Sequence, residues 1–94
     1  MRRRLSEGEI VAAMDRIPSW TRDGGAIRRT LAFPSFAEGI RFVDLVAVEA
    51  DALGHHPDID IRYTAVTLAL STHSAGGLTA LDMELAARID RLAG

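Results

Sequence analysis

Asp51-Ala-Leu-Gly-His-His-Pro-Asp-Ile-Asp-Ile-Arg-Tyr-Thr-Ala-Val-Thr-Leu-Ala-Leu-Ser-Thr-His73 is the stretch that decides the architecture. Gly54 fits the left-handed position that closes a helix, so the residues before it end one. Asp58 to Arg62 alternates, with Ile59 and Ile61 on one face of a strand. Thr64 to Thr72 alternates more strongly. Val66, Leu68 and Leu70 take one side, and Ala65, Thr67 and Ala69 the other. That second side is small and mildly polar, which suits partial cover by a partner subunit. His55, His56 and His73 are all the histidines of the chain, and each lies at the end of an element.

Upstream, Ser35 caps a long helix running to about Leu53. Phe36, Ile40, Val43, Ala47 and Ala50 form its expected apolar stripe, with Arg41, Asp44 and Asp51 mostly off it. Before this helix, Ile27, Leu31 and Phe33 alternate with Arg28, Thr30 and Ala32 in a strand. Arg29 breaks the pattern on the buried parity. Asp23-Gly24-Gly25 is a hairpin turn joining that strand to a short one at Trp20-Thr21-Arg22. Ser6 and Glu9 form a capping box, with Leu5 and Ile10 placed as a hydrophobic staple. The first helix should run to about Arg16 and stop at Pro18.

Downstream, Ser74-Ala75-Gly76-Gly77 is a loop. Thr79 and Asp82 repeat the capping pattern and open the last helix, whose apolar side is Leu81, Leu85, Ile89 and Leu92. The order is helix, two strands, helix, two strands, helix. This predicts an α+β domain spanning residues 1–94, with one antiparallel sheet and helices on one of its faces.

The 94 residues make one domain with a modest core. Hydrophobic residues are 48% and charged residues 26%, an ordinary soluble balance. The net charge of −2 argues against a nucleic-acid partner. Arg2-Arg3-Arg4 reads as a solvated tail. The absence of cysteine excludes disulfides and thiolate chemistry. No stretch is long enough to span a membrane, and no apolar segment behind the N-terminal arginines marks a signal peptide. A cytoplasmic location is expected.

Histidine titrates near neutral pH, so three in one region suit proton transfer. On spacing alone a structural role is favoured over catalysis. Zinc fits less well, with no cysteine and no helical or alternate-strand histidine spacing, though Asp51 and Asp58 stand nearby. The placement strengthens the catalytic reading, because the ends of rigid elements present functional groups. Asp82 reads first as the N3 partner of Thr79, with support for His73 as a second possibility. Pro57 fixes the chain direction after the histidines. Trp20 and Tyr63 are expected to be packing residues, and Asp58 and Asp60 a solvated strand face.

The motif Asp51-x-x-x-His55-His56-Pro57, Tyr63, Thr72-His73, and Gly77-Leu-Thr79-x-x-Asp82 resembles the pterin-4a-carbinolamine dehydratase family. Ile17-Pro-x-Trp20 and Phe33-x-Ser-Phe36 extend the resemblance over nearly the whole chain. It implies dehydration of 4a-hydroxytetrahydropterin to quinonoid dihydropterin, in tetrahydrobiopterin recycling. His55 and His73 would be the acid–base pair, and His56 would contact or orient the pterin. Substrate contacts would fall on Gly54, His55 and His56 and on Ser71, Thr72, His73 and Ser74. Asp51, Pro57 and Asp82 would support them.

The resemblance also implies a four-stranded antiparallel sheet with three helices on one face, assembled as a homodimer or homotetramer. The dehydration requires no metal or other cofactor, and the chain has no glycine-rich loop that would cradle a phosphate. Asp51 stands where the family often has glutamate, and Gly54 where it often has aspartate or asparagine. Two other readings keep the same fold: a non-catalytic dimerisation or coactivator module, and a pterin enzyme of the molybdenum cofactor route.

Overall fold

The computed structural model describes residues 3–94. These form α1 (Glu7–Met14), β1 (Thr21–Asp23), β2 (Ala26–Ala32), α2 (Phe36–Leu53), β3 (Asp58–Arg62), β4 (Ala65–Leu70) and α3 (Ala80–Ala93). A single 3-10 turn, His73–Ala75, lies between β4 and α3. The expected α-β-β-α-β-β-α order is therefore observed.

The strands pair antiparallel in the order β1-β2-β4-β3. The period-2 pattern puts Ile27, Val66, Leu68 and Leu70 on one face, where they are fully buried. Arg28, Thr30, Asp58 and Asp60 point to the other face and are exposed. The helices cover the first face with Phe42, Val46 and Ala50 from α2 and Leu85, Ala86 and Ile89 from α3. Each fully buried Leu, Ile or Val side chain is worth about 1.5–3 kcal/mol of transfer free energy.

Arg29, on the core-facing parity of β2, is neutralised by Asp90 of α3 at 2.5 Å. Asp90 also accepts a 2.8 Å hydrogen bond from the Trp20 indole, so one carboxylate joins α3, β2 and the segment before β1. Trp20 is buried, as expected. Tyr63 is not a packing residue in this chain. It forms the β3–β4 turn with φ of +54° and is 89% exposed.

The stripe on α2 is shifted from its expected phase. Gly39, Phe42, Val46 and Ala50 are buried, whereas Phe36 and Ala47 are exposed. Apolar residues occur on more than one side of α2, so periodicity alone does not fix which side faces the sheet. The basic run is also not a free tail over its described part. Arg3 pairs with Glu9, and the Leu5 amide donates to the Leu78 carbonyl at 2.8 Å. Arg4 lies across Gly77, where a Cβ would sit 2.9 Å from Arg4 Cδ. Arg2 is outside the described residues.

Candidate active site

β3 and β4 are antiparallel neighbours, with Asp58 opposite Ala69. The segment entering β3 and the segment leaving β4 therefore lie at the same end of the sheet. His55, His56 and Pro57 occupy the first segment, and Ser71, Thr72, His73 and Ser74 the second. Sequence separation between the two groups of histidines is thus cancelled by strand pairing.

His55 is fixed first by the end of α2. Gly54 adopts φ of +62°, and the His55 amide folds back to the Ala50 carbonyl at 3.1 Å. Glycine takes this left-handed conformation at little steric cost, and among other residues asparagine and aspartate tolerate it best. A Cβ at Gly54 would meet nothing within 4 Å. The position needs a positive φ, which the glycine supplies.

The His55 imidazole reaches inward. Its Nε2 lies 2.6 Å from Asp82 Oδ1. Asp82 is completely buried, and the His55 side chain is 11% exposed. The other oxygen, Oδ2, accepts from the Thr79 amide at 2.9 Å and the Thr72 hydroxyl at 2.8 Å. An ionised carboxylate accepts hydrogen bonds and donates none. Nε2 therefore carries the proton between them, and Nδ1 is the ring nitrogen left to exchange a proton with something outside. A buried carboxylate is tolerable because several donors surround it.

Asp82 fulfils the first of its sequence readings and not the second. It caps α3 through the Thr79 amide, as the capping box requires. The imidazole it holds belongs to His55 rather than to His73. The two residues are 27 apart in sequence, and the local cap already explained the aspartate. Thr72 likewise has a role its motif position did not reveal. Its side chain is buried and turned into this cluster. The signal was present in the alternation: Thr72 continues the core-facing parity of Val66, Leu68 and Leu70.

The remaining candidates are more open. His56 Nε2 lies 2.9 Å from Asp51 Oδ1, with the two side chains 64% and 78% exposed. The shorter carboxylate at position 51 thus still reaches an imidazole, that of the second histidine. His73 and Ser74 are exposed on the 3-10 turn, which closes at Gly76 with φ of +72°. Thr72 and Gly77 clamp the base of that turn by paired backbone hydrogen bonds of 3.0 and 3.4 Å. Ser71 and Pro57 are half-buried beside the same sheet end.

The sequence profile of the family described as pterin 4 alpha carbinolamine dehydratase matches residues 3–92. The chain belongs to that family. Relatives in Nocardia farcinica and Roseiflexus sp. are 54% and 52% identical over 89 and 92 residues. The alignments cover 95% and 98% of this chain, and 94% and 99% of those proteins. Both are named as pterin-4-alpha-carbinolamine dehydratases without confirmation of activity. The crystal structure of a transcriptional coactivator/pterin dehydratase from Brucella melitensis superposes with a TM-score of 0.93 at 33% identity. That match covers 97% of this chain and 99% of the other. A pterin dehydratase-like RuBisCO assembly factor of the alpha-carboxysome superposes with a TM-score of 0.65 at 29% identity, covering 80% and 87% of the two chains. The dehydratase family thus includes members named for binding as well as for catalysis. Among the described residues, no helix is long and apolar enough to cross a membrane.

Proposed function

We propose that this chain dehydrates a pterin-4a-carbinolamine to the quinonoid dihydropterin, with His55 and His73 as the acid–base pair. The observation that carries this reading is the His55–Asp82 hydrogen bond, buried at the sheet end that also bears His73. An imidazole held at Nε2 by a carboxylate is oriented to exchange protons through Nδ1. In the reaction, one imidazolium delivers a proton to the 4a-hydroxyl. The C4a–O bond breaks and water leaves. The other imidazole removes the N5 proton, and the N–H electrons form the C4a–N5 double bond. Which histidine is acid and which is base depends on how the pterin lies between them.

His56, tied to Asp51 at the surface, contacts or orients the pterin in this reading. Gly54 and the polar groups of Ser71, His73 and Ser74 line the same end of the sheet. The tetrahydrobiopterin substrate, its recycling after aromatic hydroxylation and a cytoplasmic site of action belong to this proposal, supported by membership of the family. The protein requires no bound cofactor in this scheme.

The test is an absorbance assay of quinonoid dihydropterin formation from carbinolamine with purified protein. His55→Ala and His73→Ala should each lower kcat by about 10²–10⁴-fold, the usual worth of a placed acid or base. Full activity in either folded variant removes that residue from the mechanism.

A second reading, a binding module, is favoured by α2. Phe36, Leu45 and Val48 on this helix are 57%, 51% and 64% exposed. Exposed apolar residues of this kind suit a protein contact, including assembly into a dimer or tetramer. Stoichiometric partner capture with no dehydratase rate would support that reading over the enzyme.

A further inference from the structure

Counting hydrogens around Asp82 gives Thr72 a definite task. Thr72 Oγ1 lies 2.8 Å from Asp82 Oδ2 and 2.8 Å from Thr79 Oγ1. A hydroxyl has one hydrogen to donate. Because ionised Asp82 only accepts, the Thr72 hydrogen points at Oδ2. The Thr79 hydroxyl must then donate to Thr72, and its own oxygen accepts from the Leu81 amide at 3.3 Å. The chain of donors therefore runs in one direction, from the first turn of α3 through Thr79 and Thr72 to Asp82. It meets the His55 Nε2–H arriving at the opposite oxygen.

The cluster is closed. Thr72 is 6% exposed, and Thr79 and Asp82 are not exposed at all. No polar side-chain atom buried among the described residues lacks a hydrogen-bond partner. Thr72 thus has no side-chain hydrogen left for a substrate, although it sits next to His73 in the motif.

We propose that Thr72 is a positioning residue, which through its hydroxyl locks the Asp82 carboxylate in the rotamer that aligns His55, and is not a side-chain contact for the pterin. The Thr79 amide alone leaves Oδ2 with one donor and lets the carboxylate rotate. The Thr72 hydroxyl adds the second donor and fixes the plane of the carboxylate. It also ties the His73 turn to the carboxylate that holds His55, so the two candidate catalytic segments share one anchor. The kinetic consequence rests on the dehydratase reading, whereas the geometric one does not.

The experiment compares Thr72→Val, which keeps the shape and removes the hydroxyl, with Thr72→Ser, which keeps the hydroxyl and removes the methyl. The direct readout is the nuclear magnetic resonance signal of the His55 Nε2-bound proton. A short hydrogen bond to a carboxylate moves that signal far downfield. Thr72→Val should lose or shift the signal, and Thr72→Ser should retain it. In turnover, Thr72→Val should lower kcat about 10- to 100-fold, as small misplacements of a catalytic group do. KM should be unchanged, and Thr72→Ser should restore the rate.

An unaltered His55 signal in Thr72→Val overturns the proposal. So does a raised KM with kcat retained, which is the mark of a substrate contact. If Thr72→Val does not fold, the serine variant decides, because loss of the signal there means that methyl packing and not the hydroxyl sets the geometry. If the wild-type protein shows no dehydratase rate, the proposed function fails while the resonance comparison still tests Thr72.

Discussion

The capping boxes that open α1 and α3 follow the same local rule and meet different surroundings. In each, a hydroxyl side chain occupies the N-cap and a carboxylate three residues on reaches back to the N-cap amide. Around α1, Glu9 is exposed and takes two hydrogen bonds from Arg3, at 2.8 and 2.9 Å. Around α3, Asp82 is buried and takes its further bonds from Thr72 and His55. A capping carboxylate uses only one of its oxygens for the cap, and the other is free to bind whatever the fold brings near. On the surface that is a long, exposed arginine side chain. In the interior it is an imidazole whose other nitrogen is left without a side-chain partner among the described residues. The second box therefore caps a helix and also serves as the foundation of the candidate site.

The sharpest way to break this contrast is Asp82→Asn. The amide retains the shape but offers a donor where His55 needs an acceptor. The imidazole must flip its tautomer or give up the hydrogen bond, so the character of Nδ1 changes. Dehydratase kcat should fall by about 10²–10⁴-fold, comparable to deleting the histidine. Combining Asp82→Asn with His55→Ala should add little to either alone, because the two act as one unit. Glu9→Gln in the other box should leave the rate within about twofold, as expected of an exposed cap that shares no hydrogen bond with the His55–Asp82 cluster. If Asp82→Asn retains full rate, the buried box is structural only.

Much of this arrangement was legible in the sequence. Both capping boxes, the element order and the facing of β2 and β4 follow from spacing alone. Arg29 stood out as a charge on the buried parity, which suggested a place near a sheet edge; β2 instead lies inside the sheet, and the charge is met by the partly exposed Asp90 of α3. The phase of α2 was not legible, because Phe36 and Ala47 are apolar and yet exposed. The His55–Asp82 bond was not legible either, since it joins the segment after α2 to the first turn of α3, which meet only after β3 and β4 pair. The exposure of Tyr63 follows from turn geometry rather than hydropathy: the hairpin is tight, and its apex residue points away from the sheet.

Asp90 gives an intermediate case between the two boxes. It lies near the end of α3, with a quarter of its side chain exposed, and holds Trp20 and Arg29. Asp90→Ala strands a core-facing guanidinium and an indole N–H. Unpaired polar groups in such positions cost about 1–3 kcal/mol each, less where water reaches them. The variant should lose about 1–3 kcal/mol in denaturant unfolding with its catalytic constants unchanged. A loss below about 0.5 kcal/mol would place Asp90 with the surface pairs.

Asp51 repeats the His55–Asp82 chemistry at the surface. The atoms are the same, Nε2 and Oδ1, and the distance is longer by only a few tenths of an ångström. Solvent screening reduces such an exposed pair to about 0–1 kcal/mol. Asp51→Ala should therefore change stability by less than about 0.5 kcal/mol, and any change should shrink as salt rises. Its effect on KM is the informative one. If His56 orients the pterin, KM should rise about two- to fivefold, in keeping with the strength of one exposed ion pair.

The smallest effect belongs to Glu9 itself, and pH separates it from Asp82. The Arg3 guanidinium, followed by the Ser6 amide, holds the Glu9 carboxyl well below its ordinary value, at about 2. Its proton affinity is lower in the folded chain than in the unfolded one. The stabilisation is thus present above the unfolded value of 4.5 and is lost as pH falls from there through about 2. Amide hydrogens in the first turn of α1 should exchange faster as pH falls across that window, once the intrinsic pH dependence of exchange is divided out. In Glu9→Gln the corrected rates should be flat over the same range. Unchanged protection in the wild-type protein would mean that the arginine contact adds nothing to the cap, and that the two boxes differ in more than their surroundings.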